Sequence, residues 1–281
     1  MPNYLYFSVA LQADFIPYQD SNLHYLYGGK GDKLLFCFHG FGESAENFCF
    51  LESHLSDQYT IVAIDLPFHG NSRWNSYTDF EPSSLVALLD KIKDKHAFQQ
   101  TSYEIVGYSM GGRVALSLVE IASDKIFKVY LLAPDGFKVN FWYWLATQTY
   151  LGNKLFSATI NNPAPFLWVV NVIHRAGFLN QSIHKYVNAY LHDQKKRKQL
   201  YLRWTSLRKF KPNLRQVKAE ILKRKIELIQ VYGQHDRIIL PNRGRRFSDS
   251  IHPLGKLEII NSGHRLLEEK HATALVKHIL K

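Results

Sequence analysis

Ser109 sits at the centre of Gly107-Tyr108-Ser109-Met110-Gly111, a G-x-S-x-G pentapeptide entered by the apolar, strand-type run Ile105-Val106 and left by the helical pattern Arg113-Val114-Ala115-Leu116. Strand, tight turn and helix in that order make the pentapeptide a nucleophile elbow. The turn strains the backbone of its middle residue, small residues on either side let the chains pass, and the hydroxyl is held out in the open. A serine hydroxyl attacks poorly at neutral pH unless a base takes its proton, a role suited to histidine. The histidine in turn needs a carboxylate on its other nitrogen to fix the tautomer and stabilise the imidazolium. Attack on an ester or similar carbonyl also creates an oxyanion, and backbone N–H groups aimed at it lower the barrier by several kcal/mol. The chain must therefore supply a base, an acid, amide donors and a scaffold that gathers them.

The scaffold reads as strands alternating with helices. Tyr4 to Ala10 and Leu23 to Tyr27 are short aromatic and aliphatic runs separated by Pro17, and they predict an opening antiparallel hairpin. Near-continuous apolar runs at Lys33 to Phe38, Tyr59 to Ile64, Lys128 to Leu132 and Ile226 to Tyr232 predict strands buried on both faces, with Lys256 to Ile260 the last. Helical spacing covers Ser44 to Leu55, Ser83 to Lys95, the stretch after the elbow through Ala122, and Ala272 to Leu280. Alternation of this kind predicts a mainly parallel, doubly wound α/β sheet. After Gly136 the composition shifts to aromatic-rich helical patterns, with four of the five tryptophans between Phe137 and Phe210. The expected organisation is a catalytic core over 1–136 and 223–281, interrupted by a helical insertion over 137–222.

With "HGFGES" at 39–44, "DLPFHGNS" at 65–72, "GYSMGG" at 107–112, "YGQHDRII" at 232–239 and "SGHRLLEE" at 262–269, the chain resembles the α/β-hydrolase superfamily over most of its length outside the insertion. The resemblance implies an α/β-hydrolase fold with the insertion as a helical cap, and the chain order of nucleophile, acid, base matches Ser109, Asp236, His264. Asp236 and His264 each follow a predicted strand, which brings them to the carboxyl edge of the sheet beside the elbow. Asp135, in Pro-Asp-Gly after the preceding strand, is the rival for the acid and equally a turn former. The resemblance makes the amides of Met110 and Phe41 the oxyanion donors, and His39 a brace for its loop. It implies a serine hydrolase, a carboxylesterase in the first instance, acting through an acyl-enzyme without cofactor or metal. An aspartate at 109 would instead suggest a dehalogenase. The elbow "GYSMGGR" is also similar to that of the menaquinone-pathway SHCHC synthases, lyases that eliminate pyruvate from an anionic substrate. That similarity singles out Tyr108 and Arg113 as substrate contacts, although Arg113 reads equally well as a helix residue with a packed stem.

Within the insertion Trp142, Trp144, Phe166, Trp168, Tyr190 and Trp204 are candidates for an acyl or ring pocket, or equally for the core of the insertion itself. The formal charge of +11 is uneven: Lys195 to Arg246 holds 17 Lys/Arg against three acids, a local +14 that leaves −3 elsewhere. A solvated surface, steering of an anionic substrate and membrane contact all fit this run; no nucleic-acid module accompanies it. The two cysteines, Cys37 and Cys49, form neither a disulfide framework nor a metal spacing and are expected as buried free thiols. No apolar run approaches the roughly 18 residues that span a bilayer. The amino-terminal residues lack the pattern of a signal peptide, so a cytoplasmic protein acting on a small molecule is the expectation.

Overall fold

The computed structural model describes residues 11–75, 78, 80–178, 181, 184, 187, 191 and 193–279. They group into two units, 1–138 with 209–281, and 139–208.

The first unit is built on eight strands: β1 (Gln12–Tyr18), β2 (Ser21–Gly28), β3 (Lys33–Phe38), β4 (Tyr59–Ile64), β5 (Tyr103–Tyr108), β6 (Ile126–Leu132), β7 (Glu227–Gly233) and β8 (Gly255–Ile260). Their spatial order is β1-β2-β4-β3-β5-β6-β7-β8, with β1, β2 and β4 paired antiparallel and every pair from β4 to β8 parallel. Chain progress reverses around β3, so β4 lies on one side of it and β5 on the other. In a wound sheet the crevice at the carboxyl ends of such strands is where ligands bind. All six residues of β4 and of β5 are buried, as central parallel strands require. Helices α1 (Cys49–Leu55), α2 (Pro82–Lys95) and α3 (Met110–Ala122) belong to this unit.

The opening hairpin differs from the sequence expectation. The partner of Leu23–Tyr27 is Gln12–Tyr18, and Tyr4 to Ala10 lies outside the described residues. Pro17, read as punctuation, is inside β1, where the edge position leaves its missing N–H without consequence. Cys37 is buried as expected, but Cys49 is exposed, because it opens α1 on the side away from Leu51 and Leu55.

A polar knot ties the sheet to the last helix. Glu104 of β5 is 1% exposed; the Tyr130 hydroxyl lies 2.7 Å from its Oε2, and the Tyr59 hydroxyl 3.0 and 3.1 Å from its two oxygens. Both hydroxyls also lie within 3.1 Å of the Ile279 carbonyl. Two phenolic hydrogens must therefore serve a carboxylate and a carbonyl. Burial raises the Glu104 pKa, the two hydroxyls opposing it. A carboxyl whose folded pKa is raised loses stability as pH climbs from the unfolded value through the folded one. Glutamine keeps an NH2 donor group and a carbonyl acceptor at every pH. Glu104→Gln is thus expected to match the wild type in acid and to melt higher than it at pH 8 by about 2 °C or more, checked by thermal unfolding across that range.

The second unit contains helices α4 (Phe141–Gln148), α5 (Tyr150–Ala158), α6 (Ala164–Arg175) and α7 (Gln194–Ser206). Their caps are written in sequence: Asn140, Thr149 and Asp193 each accept backbone N–H groups of the helix that follows. The expected insertion ran to 222, but α8 (Leu214–Arg224) groups with the sheet. Its Val217 and Ile221 are buried, and the Glu120 carboxylate accepts the backbone N–H of its cap, Asn213. Helices α9 (Asn242–Ser250) and α10 (Ala272–Ile279) complete the first unit. Among the described residues no helix is long and apolar enough to cross a membrane.

Candidate active site

The β5–α3 turn is sharp because two glycines allow it. A Cβ on Gly107 would lie 2.5 Å from the Gly111 carbonyl oxygen, and one on Gly111 would meet the Phe38 carbonyl closer still. Between them Ser109 adopts φ 49°, ψ −111°, a region costly for any residue with a side chain. Three hydrogen bonds hold it there: its N–H donates to Leu132 O at 2.9 Å, and its carbonyl accepts from Gly112 at 2.9 Å and Asp135 at 2.8 Å.

His264, on the loop after β8, points Nε2 at Ser109 Oγ across 3.1 Å, and its Nδ1 lies 2.7 Å from Asp236 Oδ2. The Asp236 side chain is fully covered, and its Oδ1 accepts the backbone N–H groups of Ile238 at 2.7 Å and Ile239 at 3.0 Å. With Oδ1 committed to amides, Oδ2 is free for the imidazole, which places the histidine proton on Nδ1 and leaves Nε2 to accept. A chain of this geometry can draw the serine proton as Oγ attacks a carbonyl. Asp135 lies elsewhere: its Oδ2 is 3.7 Å from Arg113 Nε, and its Oδ1 accepts the Gly136 N–H at 2.8 Å.

The loop after β3 is tied down around Phe41. His39 is wholly buried; its Nδ1 donates to Gly40 O at 2.7 Å and its Nε2 accepts the Leu66 N–H at 3.1 Å. Glu43 accepts the Gly40 N–H at 3.2 Å, and burial raises the Glu43 pKa against the lowering effect of that bond. Met110 opens α3, so helix geometry leaves its N–H without an intrahelical partner, at the end where the helix dipole favours negative charge.

Asp65 is a buried brace that sequence reasoning missed. It is buried; its Oδ1 accepts the Ala45 N–H at 2.6 Å, and its Oδ2 accepts the Asn71 N–H at 2.8 Å and His24 Nδ1 at 2.7 Å. It thereby joins β2, the turn after the Phe41 loop and the "DLPFHGNS" turn. Its position at a strand end in that motif was the available signal, but the partner His24 lies 41 residues away in sequence.

Some of the remaining expected contacts have structural partners. The Tyr108 hydroxyl donates to the His264 carbonyl at 3.1 Å, so this side chain braces the histidine loop. With Glu43, Asn47, Arg265, Leu267 and Glu268 it also lines a polar cleft of about 180 Å³. Arg113 is buried beside Asp135. Trp142, Trp144, Phe166, Trp168 and Trp204 belong to the second unit, in which Trp204 packs against Tyr143 and Phe156. Trp142 is stacked edge-on to Phe141, and Trp168 is exposed. Tyr190 lies outside the described residues. Among the described residues no group of three or more His, Cys, Asp and Glu is placed to hold a metal ion.

Residues 33–271 match the family model of the alpha/beta hydrolase fold. A segment is 38% identical over 112 residues to the dihydrolipoyllysine-residue acetyltransferase component of the acetoin cleaving system from Cupriavidus necator, covering 39% of this chain and 28% of that protein. A shorter segment is 43% identical over 58 residues to a Haemophilus influenzae protein provisionally named 2-succinyl-6-hydroxy-2,4-cyclohexadiene-1-carboxylate synthase, covering 21% of this chain and 22% of that one. These matches span less than a third of either relative's length. The crystal structure of a hydrolase from Pseudomonas aeruginosa superposes with a TM-score of 0.65 at 16% identity, covering 96% of this chain and 97% of the other, a likeness of fold.

Proposed function

The chain belongs to the alpha/beta hydrolase fold family, and on that footing we propose that it is a serine hydrolase cleaving a carboxylic ester or related acyl bond of a small molecule. The observation that carries the reading is the chain of hydrogen bonds from Ser109 Oγ through His264 to Asp236, 3.1 Å and 2.7 Å long. Ser109 attacks the carbonyl while His264 Nε2 takes its proton, and Asp236 stabilises the imidazolium from the Nδ1 side. The N–H groups of Phe41 and Met110 receive the oxyanion, the first on the loop that His39 and Glu43 brace. Collapse expels the alcohol, which leaves with the proton from Nε2. Water, deprotonated by the same nitrogen, then releases the acid and restores Ser109. A fluorophosphonate is expected to label the folded protein at Ser109 alone, with hydrolysis of short-chain aryl esters blocked in step. A folded protein that takes no label refutes the reading.

A second reading, elimination of pyruvate from an anionic substrate, draws on the Haemophilus relative and on Arg113 beside the elbow. The pairing of Arg113 with Asp135 favours a structural role for it, which supports the first reading. Pyruvate release from the succinyl-cyclohexadiene precursor, measured with a coupled dehydrogenase, separates the two.

A further inference from the structure

The second unit has a composition unlike the rest of the chain. Residues 139–208 contain nine Lys/Arg, no glutamate and one aspartate, Asp193, so a quarter of the sequence carries +8 of the formal +11. The same unit leaves large apolar side chains in water. Helix α5 buries none of its nine residues and α6 buries Val170 alone. Leu151 and Leu155 are 66% and 61% exposed, Trp168 is 68% exposed, and Phe178, three residues past α6, is 86% exposed.

Spacing arranges these groups into stripes. Leu151 and Leu155 are four apart on α5, with the exposed Lys154 between them on the same side. On α6, Trp168, Val172 and Arg175 follow at i, i+4 and i+7, all exposed. Each stripe is an apolar band flanked or ended by a long cation, the pattern of a helix lying in a bilayer interface, where the stem stays in the hydrocarbon and the head reaches a phosphate. Lys195, Lys196 and Lys198 are exposed cations on α7, whereas Arg197 is buried and donates to Ile160 O and Leu191 O. Protein interfaces are depleted in lysine, while anionic headgroups attract it, so the charge selects lipid over a protein partner. At 12 residues α6 is too short to span a bilayer and long enough to lie along one.

We propose that the second unit docks the protein onto the surface of an anionic phospholipid bilayer through the exposed stripes of α5 and α6 and the lysines of α7. This docking holds whatever bond Ser109 attacks. The test is co-sedimentation of the full chain with vesicles of equimolar phosphatidylcholine and phosphatidylglycerol, against vesicles of phosphatidylcholine alone. Binding is expected to the mixed vesicles, falling with salt and weak on phosphatidylcholine. The triple variant Lys195→Glu, Lys196→Glu, Lys198→Glu is expected to bind about 100-fold less tightly, about fivefold for each lysine. Leu151→Asp with Leu155→Asp, both at exposed positions, is expected to bind at least about tenfold less tightly with unchanged circular dichroism. Equal partition into the two vesicle types, or variants that bind as the wild type does, overturns the proposal. So does sedimentation velocity showing a dimer that the leucine substitutions dissolve, because a second copy then covers the face.

Discussion

Replacing Ser109 by alanine is expected to lower kcat on an accepted aryl ester by about a million-fold, while the protein stays folded and still binds substrate. The expectation follows from what the substitution leaves behind. The Leu132, Gly112 and Asp135 hydrogen bonds that hold the turn are backbone bonds and survive. The His264–Asp236 pair also survives, but no oxygen remains 3.1 Å from Nε2 to receive a carbonyl. Because the proposed nucleophile and base would act as one unit, adding His264→Ala to Ser109→Ala is expected to cost little more. Steady-state kinetics on the single and double variants check both statements. A loss below about a hundred-fold for Ser109→Ala would place the chemistry at another side chain.

Asp236→Asn is expected to lower kcat by about ten-thousand-fold with little change in stability. The structure fixes the orientation of the new amide. The Ile238 and Ile239 N–H groups occupy the position of Oδ1, and only a carbonyl oxygen can face them. The amide NH2 must then face His264 Nδ1, which becomes an acceptor and moves the ring proton to Nε2. A histidine protonated on Nε2 cannot take the serine proton. Asp135→Asn provides the contrast, since that carboxylate faces Arg113 and the Gly136 N–H. Its rate is expected to stay within a few-fold of the wild type, and kcat measured on both variants distinguishes the two carboxylates.

What the sequence allowed to be read depended on the distance over which each feature is decided. The central strands are runs of apolar residues, and the motifs that end them combine glycine, histidine, serine and aspartate within a few residues, so the positions of those strands and the elbow were legible locally. The antiparallel edge was harder. Gln12–Tyr18 mixes Asp14 and Pro17 into a strand that an edge tolerates and a pattern search rejects. Helix Leu214–Arg224 continues the basic, amphipathic character of the insertion before it, and only the burial of Val217 and Ile221 assigns it to the sheet. Lys195 to Lys198 reads as one cationic run, yet Arg197 is buried to bind two carbonyl groups, a difference set by partners at Ile160 and Leu191. Tyr108 was marked by its place beside the nucleophile, but its hydroxyl serves the carbonyl of a residue 156 positions later.

The crowding at Gly107 and Gly111 also determines where such a protein can change. Any codon substitution at either position adds an atom inside another residue's backbone, so both are closed to stepwise variation. The exposed faces of α5 and α6 carry no such steric restriction, because a larger side chain there enters no other residue's backbone. Sterically, the exposed helix faces of the second unit are therefore freer to change than the candidate elbow. A lineage built on this sheet can acquire new substrates or new surroundings without reopening the problem of how to hold its serine.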